Sequence, residues 1–296
     1  MLRNRVAASE ELVATIDKCL ATLPGLATLP QTAVEILRLA KDDNATAEDF
    51  HNVIAIDPAL CVRVLKVVNS SYYGLSRKID SIRQAIVLLG PNAVRNIAIA
   101  SSMQKIFRIR QAEPGCDPQD LWVHSLTVAT AAREIARLVD QELEETAFLA
   151  GLIHDVGMIA EMQIDRSRFT PVIRQLAAEE GITVSEAEAE VVEALHELFG
   201  ARLCRQWKLP LHLELVAGYH HRPECLDETE SRLPAITHLA DILADQVDHE
   251  CEQTSERLRA AQVTLERLGL QISDLEEVLE RLPQAIEDMH RLFADS

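Results

Sequence analysis

Apolar residues recur at three- and four-residue spacing along almost the whole chain, and no segment shows the alternation of a half-buried strand. That period specifies amphipathic helices packed on one another, an all-α fold. Between Gln31 and Lys41, Val34, Ile36, Leu37 and Leu39 supply a core-facing stripe. Thr46 is placed to N-cap the helix through Val53 and Ile54, and Pro58 to start another that runs through Leu60, Val64, Leu65 and Val68 to Asn69-Ser70. The next begins near Ser81 and stops at Gly90-Pro91. The pattern then resumes through Val94, Ile97 and Ile99 to Phe107.

The strongest break in the first half is Glu113-Pro114-Gly115-Cys116-Asp117-Pro118, where two prolines and a glycine interrupt both neighbouring periods. With 296 residues, 48% of them hydrophobic, the chain can fill a sizeable core. The expected organisation is two packed helical sub-domains, 1–115 and 116–248, followed by a helical extension, 249–296. Beyond the break, helices are expected near 118–139, 143–160, 165–180, 184–207, 210–221 and 232–248. In the extension, Ser273 and Glu276 form an S-x-x-E capping box, and Leu275, Val278, Leu279, Leu282, Ile286 and Met289 line one face that packs on the body.

The formal charge of −18 opposes a phosphate backbone, so direct binding of nucleic acid is not expected. The start lacks the apolar core of a signal peptide, and no apolar run is read as long enough to span a bilayer, so a cytoplasmic location without membrane insertion is expected. The six cysteines are scattered without a C-x-x-C pair and read as reduced structural thiols.

The chemistry is concentrated in the second half. His124 lies in LWVHSLTVATAAREIA, His154-Asp155 in FLAGLIHDVGM, His196 in ALHELFGARLCRQWKLP, His220-His221 in VAGYHHRPE and Asp241 in ITHLADILA. Neutral imidazoles and carboxylates suit first-row divalent metals, and helices can aim such residues into one bundle centre. Asp120, four residues before His124 and so on the same helix face, is a further oxygen donor. Two arrangements satisfy the set: a metal centre, or a buried polar network in which histidines hydrogen-bond to aspartates.

The order His, His-Asp, His, His-His, Asp is similar to that of metal-dependent HD phosphohydrolases, especially the HD-GYP branch. Over residues 20–245 the chain resembles HDOD proteins. The shared features are Leu29-Pro30, Asp57-Pro58-Ala59-Leu60, Asn69-Ser70 with Tyr72-Tyr73-Gly74, Leu88-Leu89-Gly90, His124-Ser125, Gly151 to Gly157, and Trp207-Lys208-Leu209-Pro210.

The resemblance implies an HD-like C-terminal sub-domain. It also implies one or two divalent ions (iron, manganese or zinc), with His124, His154, Asp155 and Asp241 around one, and Asp155 bridging to a second at His196, His220 and His221. The Gly-Tyr-Pro loop of the HD-GYP branch is missing, and Met158 stands where those enzymes carry a phosphate-contacting lysine. The expected role is therefore regulatory, through signalling proteins or a nucleotide ligand and without efficient catalysis. The alternatives are a phosphohydrolase acting on a nucleotide or cyclic dinucleotide, and a metal- or nucleotide-sensing switch.

Overall fold

The structure, a computed structural model, describes residues 10–23, 31–39, 42, 44–70, 73, 75–104, 106–107, 118–164, 188, 196–249, 257–259 and 261–294. Every regular element among them is helical. The first half holds α1 (Glu10–Ala21), α2 (Gln31–Leu39), α3 (Ala47–Ala55), α4 (Pro58–Val68) and α5 (Ile82–Met103). The second holds α6 (Pro118–Val139), α7 (Glu144–Ile153), α8 (Val156–Ile164), α9 (His196–Gln206), α10 (Leu211–Tyr219) and α11 (Arg232–His249). Then come α12 (Gln262–Leu268) and α13 (Ile272–Ala294).

The helix starts follow local chemistry. Thr46 caps α3 in a reciprocal box with Asp49, and Asp57 caps α4 by accepting from the Leu60 N–H with Pro58 at the first turn. Asn69 ends α4 by donating to the Leu65 carbonyl, then exchanges two hydrogen bonds with the Ile79 backbone and so pins the connection to α5. Ser81 caps α5, and Gly90 (φ 83°) kinks it ahead of Pro91.

By length and composition α5 would suffice to cross a membrane, contrary to the sequence reading. However, 61% of its most apolar window is buried. It serves as the central helix against which α2, α3 and α4 pack.

In the second half α7 and α11 flank α6, α9 lies on α8, and α10 bridges α9 to α11. Two glycines set the closest approaches. A Cβ on Gly151 would meet the Ala129 backbone at 2.7 Å, so glycine lets α7 lie directly on α6. A Cβ on Gly157 would fall 1.9 Å from the His196 carbonyl oxygen, so glycine also lets α8 touch the start of α9. These contacts bracket His154-Asp155.

The halves share one continuous apolar core that runs from Ile16 to Met289. Helix α5 packs on α7, where the buried Asn96 amide donates to the Glu145 carbonyl, and α1 packs on α8 and α9, where Arg202 forks onto Asp17. Helix α13 buries Leu275, Val278, Leu282, Ile286 and Met289 against α6 and reaches α4, as its periodicity predicts. Each such buried side chain contributes about 1.5–3 kcal/mol.

Three expectations are corrected. The single helix expected over 143–160 breaks between Ile153 and Val156, because the His154 ring donates to the Gly151 carbonyl (2.7 Å), the acceptor a continuing helix would offer to Asp155. The start of α13 is not the Ser273/Glu276 box: the helix begins at Ile272, and Asp274 accepts from the Gln271 N–H at 2.8 Å. Asp120 is exposed on the first turn of α6 and joins no cluster of ligand-type side chains among the described residues. The expected helix 165–180, residues 113–117 of the break, and 184–195 apart from Glu188 lie outside the described residues.

Candidate metal centre

The turn at His154-Asp155 aims both side chains between the helices of the second half. His154 is fully buried, its ring fixed by donating from Nδ1 to the Gly151 carbonyl. In the neutral ring Nε2 is then the atom left to ligate a metal. That atom lies 3.3 Å from Asp155 Oδ2 and 3.8 Å from Asp241 Oδ1. Asp241, on α11, accepts from His124 Nε2 of α6 at 3.2 Å. His196 opens α9, and its Nε2 is 3.3 Å from Asp155 Oδ1. At the end of α10, His220 donates from Nδ1 to the Val216 carbonyl (3.0 Å) and places Nε2 3.3 Å from the same Asp155 oxygen. His221 Nδ1 is 3.9 Å from Asp241 Oδ2.

All seven residues expected at the site thus converge. Ligand atoms of Asp155, His196, His220 and His221 lie within 4.8 Å of one another, as do those of His124, His154 and Asp155. Asp155 is common to both groups. His124 and His221 keep 17% and 19% of their side-chain surface and form the open edge; His154, His196 and His220 have essentially none.

Three further residues escaped sequence reasoning. Glu188, fully buried, accepts from His196 Nδ1 at 2.7 Å and from the His196 backbone N–H at 3.1 Å, which fixes the ring with Nε2 turned to Asp155. Asp245, one turn after Asp241, forms a third group with His124 and Asp241. Glu197, buried at the start of α9, accepts from Arg222 at 2.8 Å. The cation beside the histidine pair is thereby engaged by a carboxylate.

The electrostatics follow the geometry. Burial would raise the Asp155 carboxyl, but His154 and His196 outweigh it and hold the group well below the usual carboxylate range. Asp241 is likewise lowered, against burial, chiefly by its hydrogen bond from His124 and then by His154 and His221. Burial disfavours the charged form of His196, yet Glu188 and then Asp155 raise it well above the ordinary imidazole value. His221 goes the other way, lowered by burial and by His220 and His196. Glu161, buried on α8, is raised by burial and then by Glu188.

Two buried atoms decide how well an ion fits. His154 Nε2 and Asp155 Oδ1 are buried without a well-directed hydrogen bond, although Nε2 lies 3.3 Å from Asp155 Oδ2 and Oδ1 lies 3.3 Å from Nε2 of both His196 and His220. Imidazole nitrogens and carboxylate oxygens that converge on one point without directed hydrogen bonds suit a cation. The donor set of imidazole nitrogen and carboxylate oxygen fits a first-row divalent ion, and His154 and His220 have their outer nitrogens fixed by backbone carbonyls.

Similar architectures are known. An HDOD domain protein of unknown function from Geobacter sulfurreducens superposes with a TM-score of 0.78 at 22% identity, over 95% of this chain and 99% of that one. A candidate phosphohydrolase from Shewanella amazonensis SB2B gives 0.73 at 24% identity, over 95% and 98%. A candidate signal transduction protein from Marinobacter aquaeolei VT8 gives 0.74 at 21%, over 98% and 67%. At these identities the likeness is one of fold. An uncharacterized protein of Treponema pallidum is 24% identical over 200 residues, 65% of this chain, and the chain spans only 37% of that relative's length. The HDOD domain pattern itself matches residues 26–223, from ahead of α2 through His220-His221 to Pro223, and on that match the chain belongs to the HDOD domain family.

Proposed function

We propose that this chain is a cytoplasmic HDOD signalling protein whose buried histidine–aspartate cluster holds one or two divalent metal ions, and that it acts through protein contact or a nucleotide ligand without efficient hydrolysis. The observation that supports the metal part is the convergence of ligand-type side chains on Asp155, which belongs to two groups whose ligand atoms lie within 4.8 Å of one another. His196, His220, His221 and Asp155 would hold one ion; His124, His154, Asp155 and Asp241 would hold the other. Bound ions of this kind supply Lewis acidity and acidify water.

The regulatory part rests on the residues next to the cluster in sequence, Met158 and Arg222. Hydrolysis of a phosphodiester needs groups that stabilise the charge developing on the attacked phosphate. Met158 is a buried apolar residue, and Arg222 is held by Glu197. The signalling role draws support from the Marinobacter protein, which is described as a signal transduction candidate. The second reading, a metal-dependent phosphohydrolase, is favoured by the position of Asp155 between two ligand groups. Metal analysis of the purified protein, followed by assays on nucleotides and cyclic dinucleotides with iron, manganese or zinc, separates the two. Bound metal without turnover is expected; multiple turnovers that vanish in both His154→Ala and Asp155→Ala would establish the enzyme instead.

A further inference from the structure

The His124 side of the cluster is richer in carboxylate than the family resemblance implies. Asp245 stands one helical turn beyond Asp241 on α11, so the two share a face. His124, Asp241 and Asp245 each offer a ligand atom within 4.8 Å of the others. Asp245 is also the more open acid, with 27% of its side-chain surface exposed against 8% for Asp241.

Its Oδ2 accepts from Nη1 of Arg257. Arg257 lies beyond residues 26–223, the part matched by the HDOD pattern. It is held in place by the burial of Leu258 and by the Ala261 N–H, which donates to its carbonyl at 2.9 Å. The His124 side of the cluster therefore meets a cation delivered by the C-terminal extension.

We propose that Asp245 joins His124 and Asp241 as a ligand for a divalent cation, and that Arg257 competes with that cation for Asp245. The inference rests on the metal reading above and adds a regulator to one side of it. A guanidinium in contact with a carboxylate occupies part of its lone-pair capacity and repels a divalent ion brought to the same group. With Asp245 added, the His124 side offers two imidazoles and three carboxylates, which suits a harder, oxygen-preferring ion such as manganese, whereas three imidazoles with Asp155 suit zinc or iron. The two sides of the cluster differ in the ion they take, and the extension tunes only the carboxylate-rich side.

The test is manganese binding to the metal-free chain of residues 1–296, with free Mn²⁺ read by electron paramagnetic resonance. Arg257→Ala should tighten one Mn²⁺ equivalent by about tenfold, and Arg257→Gln, which keeps a hydrogen-bond donor but not the charge, by less. Asp245→Asn should weaken that equivalent about tenfold or more, and the double variant Asp245→Asn/Arg257→Ala should match Asp245→Asn alone. His196→Ala should remove a different equivalent. An isotherm unchanged or weakened by both Arg257 variants overturns the proposal, as does a gain from Arg257→Ala that persists without Asp245. If His196→Ala loses its ion while the Asp245 and Arg257 variants behave as wild type, only this inference falls; if no variant and no wild-type sample binds an ion, the metal reading falls with it.

Discussion

At the scale of single residues, the cluster is governed by what lies behind each histidine. Backbone carbonyls set the rings of His154 and His220, but His196 depends on the side chain of Glu188, whose carboxylate also raises the imidazole well above its usual value. Metal binding at His196 Nε2 must displace any proton there, so affinity should climb as pH rises toward that raised value. Glu188→Ala should weaken metal binding by about 10–100-fold, and Glu188→Gln should recover most of it because its amide oxygen still accepts from Nδ1. The same Gln variant removes the charge that raises His196, so its affinity-versus-pH curve should move to lower pH. Equilibrium dialysis between about pH 6 and 8 reads both effects; a curve that stays in place would show that Glu188 serves packing alone. Glu188 was not legible in the sequence, because it sits among Glu186 and Glu190 in an acid-rich stretch that reads as a solvated helix face. The seven ligand-type residues were legible because an imidazole or carboxylate within an apolar helical pattern must be satisfied by something.

At the scale of elements, four-residue spacing on one helix face does not by itself decide which acid joins the cluster. Asp120 and His124 share a face, as do Asp241 and Asp245, but a shared face does not set depth along the bundle. Asp120 falls on the first turn of α6, where an acid complements the helix N-terminus in solvent, while Asp245 is only one turn from the centre. The break at His154-Asp155 was hidden for a related reason: residues 147–162 are buried on every side, so the apolar pattern carries no phase that could shift at a turn. Besides the bond from His154 to the Gly151 carbonyl, the close approach of α8 to α9 at Gly157 holds the turn in place. Gly157→Ala places a Cβ 1.9 Å from the His196 oxygen and 2.6 Å from the Gly200 nitrogen, both backbone atoms that cannot rotate away. It should cost about 3 kcal/mol or more and displace His196 from Asp155, lowering both the urea midpoint and metal affinity. Gly218→Ala is the control, since its nearest neighbour is the Ala201 methyl at 3.3 Å. A midpoint for Gly157→Ala within error of wild type would mean that α8 and α9 have freedom to part.

At the scale of the whole molecule, two helical halves could unfold separately or as one, and the packing decides between these. Helix α13 lies on α6 of the second half and reaches α4 of the first, while α5 packs on α7 through the buried Asn96. Because the apolar core runs without a gap through these contacts, neither half can expose its face without uncovering the other. Leu282, with no exposed surface, sits in the middle of the α13 face. Leu282→Ala should therefore cost about 2–5 kcal/mol, and the loss should appear in a single transition. Of the two tryptophans, Trp122 is buried on α6 with its ring tilted against Phe107 at a centroid distance of 5.1 Å, at the junction of the halves, and Trp207 is buried just after α9, so fluorescence reports on these two places whereas far-ultraviolet circular dichroism reports on all the helices. In urea the two signals should coincide in wild type and shift together in Leu282→Ala. If the fluorescence transition preceded the dichroism transition in either protein, the halves would be thermodynamically separate, and α13 would be a strap across two bodies rather than part of one core.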